Sequence, residues 1–247
     1  MNNIEYFPIS EQGLRDNNED FCLVESISGG LDVLAIIADG VGGENAGEVA
    51  SMVTCKGISE YLAHLDNIGL EDLRMAVIAA NNDVMELQKN PRYENMATVV
   101  SACLISPEDN VIHICHVGDT RIYALCNDGI ELSKLTKDHS FVGRLFDEGH
   151  ISEKEAMLHP KRNRIDKCIG SRQLNYFSDY LFTSSFELTK FNRILLCSDG
   201  LYDVVSSSEI HSILVHNSCA KTAANNLVKR ALECGSHDNI SAIVINL

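Results

Sequence analysis

Apolar and polar positions in this chain follow two periods, and the break between them organises everything else. The longest uninterrupted apolar run, Val33-Leu34-Ala35-Ile36-Ile37-Ala38, leads straight into Asp39-Gly40-Val41-Gly42-Gly43. An unbroken run of small and β-branched residues predicts a strand covered on both faces. The glycines that follow free the backbone for a tight turn with close approach of main-chain groups. Asp39 is thereby expected at a rigid strand end. The pattern recurs: Arg193-Ile194-Leu195-Leu196-Cys197 runs into Ser198-Asp199-Gly200, and the apolar segment from Val111 runs into Val117-Gly118-Asp119. Asp238 and Asn239 precede a closing strand, Ile240 to Ile245. Four acids at strand boundaries, far apart in sequence, predict one composite site.

The remaining pattern fills in the chain. Ile4 to Ile9 predicts an edge strand, Gln12-Gly13 a turn, and Phe21 to Val24 a second strand behind the polar block Leu14-Arg15-Asp16-Asn17-Asn18-Glu19-Asp20. Glu44-Asn45-Ala46-Gly47-Glu48 is expected to open a helix to about His64, and Leu70 to Lys89 carries apolar residues at helical spacing until Asn90-Pro91 ends it. Met96 to Ile105, Val111 to Val117 and Arg121 to Cys126 predict three strands in a meander. The stretch ending in Ser140 caps a short helix from Phe141 to Glu148. Ser152-x-x-Glu155 forms a capping box for another around Glu153 to Leu158, stopped by His159-Pro160. Tyr176 to Leu188 is strand-rich, and Ser206 to Leu214 and Ala220 to Cys234 are the last helices. His113 and His116, three apart on a strand, face opposite ways and predict packing or surface histidines rather than a metal site. No repeat or linker interrupts residues 1–247, which predicts a single domain.

Composition narrows the chemistry. The 247 residues are 45% hydrophobic, enough for one large core. The formal net charge of -15 argues against a nucleic-acid or anionic-membrane partner, because both need basic surface. A solvated acidic surface explains much of that charge, and so do carboxylates gathered for cations. The nine cysteines include no Cys-x-x-Cys pair, and Cys103, Cys115 and Cys197 lie in apolar runs, which points to reduced, buried thiols and a cytoplasmic location. The start of the chain has no basic-then-apolar leader, and no apolar run approaches spanning length. Lys161-Arg162-Asn163-Arg164 is the one dense basic run, placed either as a solvated loop or to meet an anionic substrate.

A site of Asp, Glu and backbone carbonyl, without Cys or His, suits hard cations such as Mg2+ and Mn2+ better than zinc. Two such ions about 4 Å apart can share one carboxylate and one hydroxide that attacks phosphorus in line. Asp39 is placed to be the shared acid, and Arg15 supplies a planar cation able to hold two phosphate oxygens.

The ordered set Arg15-x-x-Asn18-Glu19-Asp20, Asp39-Gly40-x-Gly42-Gly43, Met96-Ala97-Thr98, Val117-Gly118-Asp119-Thr120-Arg121, Leu135-Thr136-x-Asp138-His139-Ser140, His159-Pro160-x-Arg162-Asn163, Ile169-Gly170, Ser198-Asp199-Gly200-Leu201-x-Asp203 and Gly235-Ser236-x-Asp238-Asn239-Ile240 resembles the bacterial branch of the metal-dependent serine/threonine protein phosphatases, the protein phosphatase 2C type. The resemblance spans nearly the whole chain. It implies an α+β fold, a central antiparallel β-sandwich flanked by helix pairs on both sides, with a dinuclear metal cleft at one end. It further implies hydrolysis of phosphoserine and phosphothreonine by a metal-bridging water, without a phosphoenzyme. By that likeness Asp39 would bridge two Mn2+ or Mg2+ ions and the Gly40 carbonyl would ligate one. Asp199 and Asp238 would complete one ion's shell, and Glu19 would hold the other. Asp119 and Asp203 would bind a weaker third ion with Asp199. Arg15 would grip the substrate phosphate, Asp20 would orient a ligand from behind, and a flap would span about residues 140–163. Phosphorylated proteins and a cognate Ser/Thr kinase are the implied partners, for a monomeric enzyme.

The chain departs from the pattern at Val41, where some relatives have a histidine proposed as general acid; metal-bound water is expected to replace it. Met96-Ala97-Thr98 and Phe191-Asn192 also differ, but no ligand position is lost. Two other readings remain open: an inactive relative that binds a phosphoprotein, against which the intact acids and Arg15 count, and a dinuclear hydrolase of nucleic acid or a small phosphomonoester, disfavoured by the acidic charge.

Overall fold

The computed structural model describes residues 4–41, 46–176 and 179–247. In chain order the elements are β1 (Glu5–Glu11), β2 (Phe21–Ile27), β3 (Asp32–Val41), α1 (Gly47–Leu62), α2 (Leu70–Leu87), β4 (Ala97–Ser106), β5 (Val111–Val117), β6 (Arg121–Cys126), β7 (Leu132–Lys134), α3 (Phe141–Asp147) and α4 (Glu153–Met157). They continue with β8 (Phe182–Glu187), β9 (Phe191–Cys197), α5 (Asp199–Tyr202), α6 (Ser207–His216), α7 (Ala220–Glu233) and β10 (Ile240–Asn246).

Strand β3 shows why its run is apolar throughout. Val33, Ala35 and Ile37 face the interior between two sheets, among Ile112, Ile114, Ile122 and Ile243. The alternate residues Leu34, Ile36 and Ala38 pack under α1 and α2, against Ala50, Ile58, Leu73 and Val77. Each such large side chain contributes about 2–3 kcal/mol by leaving water. On the opposite side, Leu195, Ala242 and Val244 pack against Ile210 of α6 and Leu227 and Ala231 of α7. The result is the expected four-layer α-β-β-α sandwich. Its sheets run β1-β10-β9-β6-β7 and β2-β3-β4-β5-β8, with every pairing antiparallel. The edge position of β1 follows the sequence reading.

Two expectations are corrected and one element is added. The meander fails after β5: β4 and β5 form a hairpin, but β6 pairs with β9 in the other sheet. The turn is made at Gly118, whose φ of +106° suits glycine and whose missing side chain leaves room for Val99. Strand β3 also runs on through Asp39 and Gly40 to Val41, because these residues keep pairing with Val99, Thr98 and Ala97 of β4. The three-residue strand β7, too short to show a period, was not foreseen. Gly42, Gly43 and the expected helix opening at Glu44-Asn45 lie outside the described residues. The capping serines behave as read: Ser140 accepts from the Gly143 N–H at 3.1 Å, and Ser152 with Glu155 makes the reciprocal box. Among the described residues no helix is long and apolar enough to cross a membrane.

Candidate active site

Strand register brings the acids to one end of the sandwich. Phe21 pairs with Ala38, and Arg121 and Ala242 both pair with Cys197. The starts of β2, β6 and β10 therefore lie beside the ends of β3 and β9. Glu19 and Asp20 precede β2, Asp119 precedes β6, Asp238 precedes β10, and Asp199 follows β9.

Local geometry fixes each acid. The Thr98 hydroxyl donates to the Asp39 carbonyl at 2.6 Å, and the Gly40 N–H donates to the Glu19 carbonyl at 3.1 Å. A Cβ at Gly40 would stand 2.6 Å from the Gly47 carbonyl carbon and 2.8 Å from Glu19 Cβ, so the close packing of these three segments requires glycine. Asn239 is a site residue whose role the sequence reading missed. Its Oδ1 accepts from the Glu19 N–H at 2.9 Å, while its Nδ2 donates to the carbonyls of Gln12 at 2.8 Å and Asn17 at 2.9 Å. One side chain thus ties the loop bearing Arg15 and Glu19 to the strand bearing Asp238. An amide beside an acid at a strand entrance was the available signal, because only an amide both donates and accepts in this way.

The electrostatics are those of crowded carboxylates. Burial, then the charges of Asp20, Asp199, Asp119 and Asp238, hold the Asp39 carboxyl well above its ordinary range. Asp199 is raised likewise by burial and then by Asp203, Asp119, Asp238 and Asp20. Burial first, with Asp138 next, pushes Asp119 up to about 7, and burial first pushes Asp20 up to about 6. Asp203 and Glu19 are also raised, chiefly by burial. Such clustered shifts mark functional sites, because no fold gathers like charges for stability.

Two cations stand at the rim. Arg15 meets Asp238 at 2.8 Å, and Arg162 Nε meets Asp203 Oδ2 at 3.1 Å. Arg162 and Asn163, from the basic run, line with Arg15, Asp199, Asp203 and Asp238 a cleft of about 160 Å³. Beneath the segment that begins at α3, the buried Arg121 binds Asp138 through two nitrogens, at 2.8 and 3.1 Å, and Lys134 adds a third contact at 2.9 Å. The Arg121 guanidinium lies 3.5 Å from the Tyr202 ring centroid, and the Tyr202 hydroxyl donates to the Asp119 carbonyl at 2.8 Å. His116 is buried against Ser101 and is pushed by burial down to about 4, whereas His113 meets Ser185 on the other face. The two histidines thus face opposite ways, as the spacing predicted.

The donor set fits hard divalent cations: several carboxylates and a constrained glycine carbonyl, with no thiolate. Asp199 Oδ1 and Asp20 Oδ1 are buried without a hydrogen-bond partner, which is costly for a carboxylate unless a cation or proton satisfies it. Among the described residues no group of three or more His, Cys, Asp or Glu side chains is arranged to hold a metal ion. A Mg2+-like ion needs fewer protein ligands than that, since it keeps most of its waters and takes one or two carboxylates.

Comparison with known proteins agrees with this geometry. Residues 13–234 match the family described as Protein phosphatase 2C. The chain is 36% identical, over 99% of its length, to the Serine/threonine protein phosphatase PstP of Mycobacterium tuberculosis, and it spans 45% of that protein. It is 30% identical to the Protein phosphatase PhpP of Streptococcus pneumoniae, over 94% of this chain and 93% of that one. Among solved structures, the catalytic domain of PstP in complex with 2 manganese ions superposes with a TM-score of 0.82 at 31% identity, covering 98% of this chain and 97% of that one.

Proposed function

The chain belongs to the protein phosphatase 2C family, and on that premise we propose that it hydrolyses phosphoserine and phosphothreonine in proteins with two divalent cations, in opposition to a Ser/Thr kinase. The observation that carries the reading is the convergence of Asp20, Asp39, Asp119, Asp199 and Asp238 at one end of the sandwich, where burial and then neighbouring carboxylates raise Asp39 and Asp199 well above their ordinary range.

Asp39 would be the acid shared between the two cations. The Gly40 carbonyl and Glu19 would serve one of them, and Asp199 and Asp238 would serve the other. When bound, Mn2+ or Mg2+ supplies Lewis acidity and makes water a competent nucleophile near neutral pH. Arg15 turns from Asp238 to hold two phosphate oxygens, which a planar guanidinium does better than an ammonium. Asp119, Asp199 and Asp203 form a weaker third site. The segment 140–163 acts as a flap over the cleft, its second helix tied to α6 where Glu153 accepts from the Ser207 N–H at 2.7 Å. Val41 has no proton to give, so the leaving alkoxide takes its proton from water in the cleft. The nine free thiols suit a reducing compartment such as the cytoplasm.

The test is phosphate release from a phosphothreonine peptide and from para-nitrophenyl phosphate, with Mn2+, with Mg2+ and with chelator, for wild type and Asp39→Asn. Metal-dependent turnover that disappears in the variant supports the proposal. Silence in a folded, metal-loaded wild type would overturn it and favour a phosphoprotein-binding module.

A further inference from the structure

Behind Asp39 runs a line of buried hydroxyls that none of the roles above employs. Ser198 and Ser241 are fully buried, and Asp20 is 7% exposed. The Ser198 hydroxyl donates to Asp20 Oδ2 at 2.8 Å and accepts from the Ser241 N–H at 3.0 Å, while the Ser198 N–H donates to the Ser241 carbonyl at 3.2 Å. The line continues outward, because Ser241 Oγ donates to Ser10 Oγ at 2.8 Å and Ser10 Oγ accepts from Asn18 Nδ2 at 2.9 Å.

The direction of these bonds is forced. A hydroxyl has one proton, and an ionised carboxylate only accepts. Ser198 already receives the Ser241 amide proton, so its own proton is committed to Asp20. That contact holds Oδ2 of the Asp20 carboxylate and leaves Oδ1 buried without a hydrogen-bond partner. Phe21 pairs with Ala38 and the Gly40 N–H donates to the Glu19 carbonyl at 3.1 Å, which brackets Asp20 beside Asp39. Position 198 cannot drift, because it is pinned to β10 through both its amide and its hydroxyl.

We propose that Ser198 is a positioning residue: it fixes the orientation of Asp20, and through Asp20 that of Asp39, so that the shared carboxylate is set before the cations arrive. The inference rests on the two-cation phosphatase reading and adds to it a residue with no contact to substrate or ion. Groups that orient metal ligands from behind are worth about 10–100-fold in metal affinity or activity.

The experiment compares wild type, Ser198→Ala and Ser198→Thr by Mn2+ titration calorimetry without substrate, by kcat and KM on a phosphothreonine peptide, and by thermal unfolding in chelator. Ser198→Ala should weaken the tight Mn2+ sites and lower kcat, each about 10–100-fold, while KM stays within about threefold. Ser198→Thr, which keeps the hydroxyl, should recover most of both. In Asp20→Asn the same Ser198→Ala change should cost much less, since its target is already altered. Should Ser198→Ala not fold, Ser198→Cys keeps the packing with a weak donor and carries the same comparison. A variant with lowered Tm but unchanged Mn2+ affinity and kcat would overturn the inference and leave Ser198 as a structural hydroxyl. Wild type that neither binds Mn2+ nor releases phosphate would overturn the phosphatase reading, and this inference with it.

Discussion

Arg15 sets a guanidinium nitrogen 2.8 Å from Asp238 Oδ2, joining residues 223 positions apart at the mouth of the cleft. The side chains are 48% and 31% exposed, so water screens the pair and it is worth no more than about 1 kcal/mol. It is a resting contact that an arriving phosphate can displace. Arg15→Ala should therefore leave the Tm almost unchanged. It should raise KM for a phosphothreonine peptide about 10-fold or more, as expected for losing charge-assisted hydrogen bonds. Steady-state kinetics with a matching unfolding curve checks this, and an unchanged KM refutes the phosphate clamp.

Asp39 is flanked by Asp20, Asp199, Asp119 and Asp238, and in the proposed site its negative charge would let two cations sit close together. Asp39→Asn keeps the shape and removes that charge. Activity should fall far below about a tenth of wild type, given the several kcal/mol that metal stabilisation of the transition state contributes. The folded content by circular dichroism should be retained. Turnover above that level would sink the shared-acid role.

The sandwich was legible because its central strands are buried on both faces. Val33 to Ala38 has no polar position to interrupt it, and only layers on both sides satisfy such a strand. The acids at the strand ends were legible for the related reason that a carboxylate beside an apolar run breaks the pattern and needs a cation, a proton or polar partners there. What escaped was set by contacts distant in sequence. The crossing at Gly118 depends on Val99, and the tie made by Asn239 depends on Gln12, Asn17 and Glu19. The hydroxyl line through Ser198 and Ser241 exists only once β9 and β10 pair. Local pattern reports which face is wet, and it carries no register between distant strands.

Asp119 is buried, and its carbonyl accepts from the Tyr202 hydroxyl at 2.8 Å. Its carboxylate is coupled to Asp203, on the side assigned to the weaker ion. Asp119→Asn should leave two tight Mn2+ sites intact by calorimetry and lower kcat by about 10-fold or more, the scale of a lost charge stabilising the reacting site. Loss of the tight sites would contradict the division into a strong pair and a weak third site.

The ion cluster under the flap is a stability element. Burial alone would raise Asp138, but Arg121 and Lys134 outweigh it and hold its carboxyl below the usual range. Removing one partner of such a buried set strands the others, a cost of about 3–5 kcal/mol. Asp138→Ala should lower the urea midpoint accordingly in chelator-treated protein. A loss under about 1 kcal/mol would mean that the cluster is solvated and not structural.

Chelation should expose the strain among the acids, and its sign follows from the protonation shifts. Asp20 is raised from 3.8 to about 6 and Asp119 from 3.8 to about 7, while Asp39 and Asp199 are raised well above the ordinary value in the same direction. Above 3.8 the unfolded chain has lost these protons and the folded chain still holds them. Their contribution to stability is therefore full below the unfolded value and drains away as pH rises through the folded ones. Metal-free protein should accordingly show a Tm that falls between about pH 4 and pH 7 where an isolated surface carboxylate would leave it flat. Divalent cations require the deprotonated carboxylates and release the protons, so their affinity rises over the same window. The Tm increase on adding saturating Mn2+ should thus be larger at about pH 7 than at about pH 5. Scanning calorimetry in chelator and in Mn2+ at both values decides it. An increase that is equal at both, or larger in acid, would mean that the ions bind elsewhere than among these carboxylates.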